Sequence, residues 1–518
     1  MEQPLDKYDI KNSRTVNVVR NVSWSTILQL ILMILQFIVR TVFIRQLGRN
    51  YLGITGLFSD ILWLLELANL RIPEAIMLCM YKPLAEKKYE KVLALIYLVR
   101  KMFFFVSIFI LSIGLVLMRL LPYIIKNPPD IPEKFTIIFL FYLIEIVVTY
   151  LLIHKRFIII VDQKMFIYSI YFNVSRFLQI IFQIVVLITI KEFYVYLGVQ
   201  VLVTFAMNYL LGIKSGKMYP FTKEKNTYKL NKDEIKEIVN NIKSMFIYGL
   251  GSAFLIGTDN IIISSIIGIG VLGICSNYLL IINSIKTLVD QAFAGFTASI
   301  GNLNAVEDSK TSEKIFNELY FVVFAIAAFF SINLAVSINP LISVWLDNSY
   351  LLSQTIIFSL VLRFYVQATQ YITFSFRSTL GLMKRLRYIP IITACVNIVL
   401  AIIMGKIFGV SGIFFASSIA IFFFTIIPEA LLLYKTIFKR NTIIYFLRYF
   451  LFLIFTCGNY FITTKILERF VFNGWIGFFV RASIGCVISI VLFIIVFFKN
   501  EYSRAFVNRI IYIIKSKK

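Results

Sequence analysis

The chain holds one histidine in 518 residues, and its five cysteines are scattered singly. No CxxC or clustered Cys/His spacing occurs, which argues against a finger-type zinc site or a paired redox thiol. Cys79, Cys275, Cys395, Cys457 and Cys486 sit in or beside apolar runs and read as small core residues. His154 ends one such run beside Lys155 and Arg156 and reads as an interfacial residue with no special role. Nucleotide and hydrolase signatures are also missing. "GIKSGK" lacks the spacing of a phosphate-binding loop and the Ser or Thr that should follow its lysine. HExxH and GxSxG do not occur. The expectation is a protein without catalytic residues, metal or cofactor, and not an enzyme.

Charge is scarce as well. Charged residues make up 15% of the chain, against about 25% in soluble domains. Hydrophobic residues make up 59%, and the mean hydropathy is +0.84. A soluble protein of this length needs a larger polar shell. Apolar runs long enough to cross a ~30 Å hydrocarbon core recur from end to end. They do not alternate every second residue, which excludes a transmembrane β-barrel. The class is an all-α polytopic membrane protein.

Hydropathy predicts about 14 transmembrane helices. They lie near 21–44, 52–80, 93–120, 132–153, 165–190, 192–213, 241–266, 271–298, 316–338, 354–376, 387–405, 409–434, 445–464 and 475–498. The polar start "MEQPLDKYDIKNSRTVNVVR" does not read as a cleavable signal, so the first span is expected to direct insertion. The formal charge of +25 would suggest nucleic acid in a soluble protein. Here it sorts by loop instead. With the N-terminus inside, the inner loops and tails hold roughly 35 Lys and Arg and the outer loops roughly 9. Both termini are therefore expected in the cytoplasm, and no nucleic-acid partner is expected.

The longest hydrophilic segment, near 214–243, is too short for a soluble domain. Its end, "LNKDEIKEIVNNIKSM", predicts an amphipathic helix entering the seventh span. The expected organisation is an N-terminal lobe over 1–213, a linker over 214–240, a C-terminal lobe over 241–440, and two further helices with a basic tail over 441–518. The halves also echo each other. Gly48, Leu52, Gly53 and Ile54 in "LGRNYLGI" match Gly268, Leu272, Gly273 and Ile274 in "IGIGVLGI" at a shift of 220. Each copy joins the first two helices of its half. Six spans per half keep the two copies in the same orientation, which makes a parallel repeat.

Several apolar spans carry a polar stripe. Ser25, Gln29, Gln36 and Arg40 share one face of the first. Ser169, Arg176 and Gln183 do so in the fifth, and Arg363, Gln367, Gln370 and Arg377 in the tenth. The seventh has Asn241, Tyr248, Ser252 and Asp259, and the eighth has Lys286 one turn from Asp290. Asp60 lies in the second span and Glu145 alone in the fourth. Intramembrane charges mostly face a bundle interior or a watery cavity. Arg40, Arg176, Arg363 and Lys286 are thus candidate substrate-binding groups, with Gln29, Gln36, Gln183 and Gln367 beside them. Arginine presents paired donors that suit phosphate and carboxylate, and the amides suit sugar hydroxyls. Asp60, Glu145, Asp259 and Asp290 are candidate ion-coupling sites. Simpler readings stand alongside. Arg40 is near enough to its helix end to snorkel to headgroups, and Lys286 with Asp290 can be an intrahelical pair. Arg377 reads as the inner-end charge of its span, Glu429 as an interface residue, and Arg481 as a packing or snorkelling residue.

The stretch "FIRQLGRNYLGITGLFSDILWLLELANLRIPEAIMLCMYKPLAEKKYEKV" resembles the Wzx-type polysaccharide flippases. These are lipid-linked repeat-unit exporters of the multidrug/oligosaccharidyl-lipid/polysaccharide (MOP) superfamily. The resemblance rests on Arg40, Leu47-Gly48, Tyr51-Leu52-Gly53-Ile54, Leu57-Phe58 and Tyr81-Lys82-Pro83-Leu84-Ala85, and on "FAGFTASIGNLNA" at 293–305. Asn69, Arg71 and Pro73 depart from it, since relatives often place an acid and glycines there. The resemblance implies two pseudo-symmetric six-helix lobes of MOP/MATE type around a chamber, plus two C-terminal helices. It implies alternating access in the cytoplasmic membrane of a bacterium. The cargo would be a polyprenyl-pyrophosphate-linked oligosaccharide for capsule, O-antigen or exopolysaccharide. Membrane lipids, a polysaccharide polymerase and glycosyltransferases are the implied partners. The alternatives are a MATE-like organic-cation or drug exporter, a lipid II flippase, or a scramblase.

Overall fold

The computed structural model describes residues 31–65, 72–124, 130–162, 164–226, 228–306, 309–380, 382–470, 474–502 and 504. All regular structure among them is helical. The helices are α1 (31–47), α2 (Arg49–Leu65), α3 (Ile72–Ala85), α4 (Tyr89–Ile124), α5 (Phe135–Val161), α6 (Met165–Thr189), α7 (Phe193–Met218) and α8 (Lys232–Ile266). Then come α9 (Ile269–Val306), α10 (Ser309–Trp345), α11 (Gln354–Thr379), α12 (Ile389–Ile421), α13 (Ile427–Leu433), α14 (Ile443–Leu467) and α15 (Gly474–Phe497). Among the described residues, nine helical stretches are long and apolar enough to cross a membrane. The chain is a multi-pass membrane protein by that measure.

One of those stretches, Ile389–Phe438, has 50 residues. At ~1.5 Å per residue it far exceeds one crossing of a ~30 Å core. Gly409 breaks it, with φ 64° and ψ −143°, a conformation only glycine adopts without strain. Gly412 then passes directly over the Met404 carbonyl, where a methyl group would overlap the backbone. The apolar run therefore reverses within a few residues, where the hydropathy pattern predicts the end of one span and the start of the next.

The chain forms two compact units. The first comprises residues up to 48, 72–119 and 131–241. Its framework is α5 against α7, with α6 alongside. Gly114 of α4 admits Leu143 of α5, whose Cδ1 would lie 2.5 Å from an added methyl group. Phe43 of α1 is buried edge-on against Phe193 and Tyr196 of α7, at 5.9 and 5.2 Å. Beyond α5, Asp162 accepts from the Tyr219 hydroxyl at 2.6 Å and pairs with Lys164 at 2.7 Å. Burial opposes its charge, but these two partners prevail and hold its carboxyl below the usual range.

The second unit comprises 49–71, 120–130 and 242–518. Here α2 packs on α9, α11 lies between α9, α10 and α12, and α14 and α15 close on α10. Two π-helical turns, 422–426 and 434–438, flank α13. Pro428 sits at the start of α13, where its missing N–H and ring prevent regular α-helical pairing across the junction. An aromatic cluster centred on Phe316, Tyr320, Tyr445 and Phe452 fills the space between α10 and α14.

Candidate substrate cavity

α11 has 26 residues but is not among the nine apolar stretches. The reason is its polar stripe. Arg363, Gln367, Gln370 and Arg377 recur at helical spacing and so share one face. All four line a cavity of about 720 Å³ in the second unit. The facing stripe of α9 supplies Asn283, Lys286, Thr287 and Asp290, again at helical spacing. Asp60 comes from α2 and Asp259 with Asn260 from α8. Thr425 and Glu429 come from the π-helical turn and α13, and Tyr371 and Phe374 add aromatic faces.

Most of the charge in this cavity is internally compensated. Arg363 Nη1 lies 3.1 Å from Asp259 Oδ2. Asp259 is 2% exposed, and three further contacts surround it: Ser417 Oγ at 2.8 and 3.0 Å from its two oxygens, and Asn397 Nδ2 at 3.3 Å. Removing a carboxylate from water is costly unless each oxygen is partnered, and these donors meet that need. The Arg363 guanidinium also lies over the Phe414 ring at 5.5 Å. Lys286 Nζ meets Asp290 Oδ2 at 2.5 Å, one turn apart on α9. Asp60 accepts from the Asn260 amide.

The same cavity corrects the reading of Arg377 and Glu429. The sequence suggested a helix-end charge and an interface residue. Instead Arg377 Nη2 lies 3.3 Å from Glu429 Oε1, with the side chains 1% and 0% exposed. Thr373 Oγ1 donates to Glu429 Oε2 at 2.6 Å. The last turn of α11 is covered by α13 and its π-helical flanks, so the end of the helix is interior. Asn260, Thr373, Asn397 and Ser417 also escaped sequence reading. Arg377 at least was signalled by its register with Arg363.

The structure brings Asp60, Asp259, Lys286, Asp290, Arg363 and Gln367 of the expected residues to one cavity. Arg363 and Asp259, expected as a substrate-binding and an ion-coupling group, are ion-pair partners. The remaining expected residues lie elsewhere. In the first unit Arg40 is part-buried with the phenols of Tyr142 and Tyr196 beside it. Arg176 is exposed on α6 and donates to Gln179 Oε1 at 3.3 Å. Gln36 is exposed, whereas Gln183 is 3% exposed and points its amide at the Tyr196 carbonyl, 3.5 Å away. Glu145 accepts from Gln200 at 2.6 Å and Thr204 at 2.9 Å, two neutral donors of α7. Gln29 lies outside the described residues.

No family model and no curated protein matches the sequence. Solved structures do match the fold. The lipid II flippase MurJ in an inward closed conformation superposes with a TM-score of 0.63 at 16% identity, covering 92% of this chain and 98% of that one. An inward-facing multidrug resistance MATE family transporter of the MOP superfamily gives 0.58 at 10% identity, covering 76% and 94%. The MATE multidrug transporter DinF-BH gives 0.55 at 16% identity, covering 82% and 97%. The chain thus shares its fold with these solved structures.

Proposed function

We propose that this protein is a flippase. It would turn a polyprenyl-pyrophosphate-linked oligosaccharide from the inner to the outer leaflet of a bacterial cytoplasmic membrane, by alternating access between two lobes within a 14-helix architecture. The observation that carries this reading is the amide-rich, aromatic-flanked cavity at membrane-spanning helices of a MOP-type fold. A glycan cannot cross hydrocarbon with its hydroxyls unpaired. Gln367 and Asn283 offer donors and acceptors on opposite walls, and Tyr371 and Phe374 offer flat apolar faces. The ion pairs keep charged groups at this depth without leaving them unpartnered. Arg363 and Lys286 in the second unit, and separately Arg40 and Arg176 in the first, are proposed as groups that attract pyrophosphate. Asp60, Glu145, Asp259 and Asp290 are the proposed ion-coupling carboxylates: Asp60 and Glu145 have neutral amide or hydroxyl partners, and Asp259 and Asp290 have cationic ones.

The test is flipping of a fluorescent polyprenyl-pyrophosphate oligosaccharide in vesicles containing the purified protein. Gln367→Leu and Asn283→Leu each remove one sugar-facing amide, and each should slow flipping by up to about tenfold, the worth of a hydrogen bond. Normal flipping by both variants would contradict the reading.

A second reading, export of organic cations, is favoured by the charge count of the cavity. Its lining has four carboxylates, Asp60, Asp259, Asp290 and Glu429, against three cations, Lys286, Arg363 and Arg377. Accumulation of a cationic dye by vesicles that do not flip the glycan would select it.

A further inference from the structure

A different cavity, in the first unit, has the opposite electrostatic character. It occupies about 380 Å³ among α4, α5, α7 and the short turn at Pro220–Lys223. Arg100, His154, Lys155 and Lys223 line it, with Tyr97 and Tyr209, and no carboxylate lines it among the described residues. Arg100 and Lys155 both stand within electrostatic reach of His154. The tendency of inner loops to collect lysine and arginine accounts for basic residues at this end of the unit. It does not account for their convergence on one hollow, where like charges repel.

The hollow is shaped by α7. Gly212 and Gly216 are one turn apart, and each lies under a lysine stem. A methyl group at Gly212 would stand 2.7 Å from Lys155 Cδ and 3.2 Å from its Cβ. At Gly216 it would stand 3.2 Å from Lys223 Cε. A side chain at Gly212 would displace the Lys155 stem, and one at Gly216 would need the end of Lys223 to give by a few tenths of an ångström. The Lys155 ammonium is further held over the Tyr209 ring, 5.8 Å from its centroid. Beside the hollow, Leu210 and Ile213 are 52% and 41% exposed, an apolar surface continuous with its rim.

We propose that this hollow binds a phosphate group, that of an anionic phospholipid in the leaflet at the lysine-rich end. Three converging cations, Arg100, Lys155 and Lys223, match a phosphate's charge and its several acceptor oxygens. Basic pockets between helices at a membrane surface hold such headgroups, and the adjoining apolar surface would seat the acyl chains. The site is separate from the substrate cavity, so its occupancy does not depend on what the protein transports.

The experiment is thermal unfolding of the full-length protein in detergent, titrated with short-chain phosphatidylglycerol, short-chain phosphatidylcholine and inorganic phosphate. Stabilisation by phosphatidylglycerol but not by phosphatidylcholine or free phosphate supports a lipid site. Stabilisation by inorganic phosphate as well would keep the phosphate chemistry and assign a soluble source. The triple variant R100Q/K155Q/K223Q should weaken the response at least about tenfold, consistent with the loss of charge-assisted bonds. The variant K155R/K223R should retain it, which separates loss of charge from loss of fold. Equal responses to phosphatidylglycerol and phosphatidylcholine, or an unchanged response in the triple variant, would overturn the proposal.

Discussion

Gly53 and Gly273 pack reciprocally across α2 and α9. A methyl group on Gly53 would overlap the carbonyl oxygen of Ile269, and one on Gly273 would overlap that of Arg49. Each glycine therefore sits against the carbonyl four residues before the other. The pair is separated by 220 positions, the shift that aligns "LGRNYLGI" with "IGIGVLGI". The preceding glycines of the two copies, Gly48 and Gly268, both have positive φ, 90° and 133°. The sequence repeat is thus also a structural repeat, and its two copies meet.

The first prediction follows from that crossing. The obstructing atoms are backbone, so no rotamer change relieves them. Gly53→Ala and Gly273→Ala should each destabilise the protein by about 1–3 kcal/mol or more. Gly458→Ala is the control, because nothing lies within 4 Å of an added methyl group there. Thermal unfolding in detergent should show a lowered midpoint for the first two and none for the third.

The buried pair of Arg377 and Glu429 gives the second prediction. Arg377→Gln leaves a buried carboxylate without its cation, a cost of about 3–5 kcal/mol. Arg377→Met combined with Glu429→Leu removes both charges and should recover much of that loss. A double-mutant cycle on unfolding free energy checks this. Additive effects of the two substitutions would mean that the pair is not coupled.

A third prediction concerns pH. Lys91 Nζ lies 2.5 Å from Glu234 Oε1, joining the start of α4 to the start of α8 within the first unit. The Lys91 ammonium first, then the Asn231 N–H, hold the Glu234 carboxyl below its ordinary range. A depressed carboxylate stabilises the fold above its unfolded-state value and loses that contribution as pH falls through the folded-state value. Hydrogen exchange in the first turn of α8 should therefore show local protection declining toward acid. Glu234→Gln should abolish that dependence, and an unchanged profile in the variant would refute the role of the pair.

The fold was legible in the sequence wherever hydrophobic periodicity ran uninterrupted. The run expected at 93–120 is α4, and that at 192–213 lies within α7 but for its first residue. The Gly409 reversal was legible because two apolar runs of spanning length meet there. The α11 stripe was legible because Arg363, Gln367 and Gln370 have no reason to share a lipid-facing side. What the sequence did not reveal was which groups pair from one helix to another, whereas the intrahelical pair of Lys286 with Asp290 was legible from its spacing. Ser417 and Asn397 are uncharged polar residues in an apolar helix, and nothing in their spacing points to Asp259, 158 and 138 residues away. Arg377 and Glu429 were misread because helix ends predicted from hydropathy were taken as ends in space. The packing of α13 over α11 depends on long-range contacts that periodicity does not encode.

The central claim is that the polar face of α11 meets an aqueous cavity rather than lipid. Its most direct measurement is thiol labelling of Gln367→Cys and Asn283→Cys in membranes, in a variant lacking the five native cysteines, with a charged, membrane-impermeant reagent applied to either side. The account predicts that both positions react from at least one side, while a cysteine replacing the exposed, apolar Ile403 of α12 does not. If positions 367 and 283 are as unreactive as position 403 from both sides, the cavity is not a passage for a polar cargo.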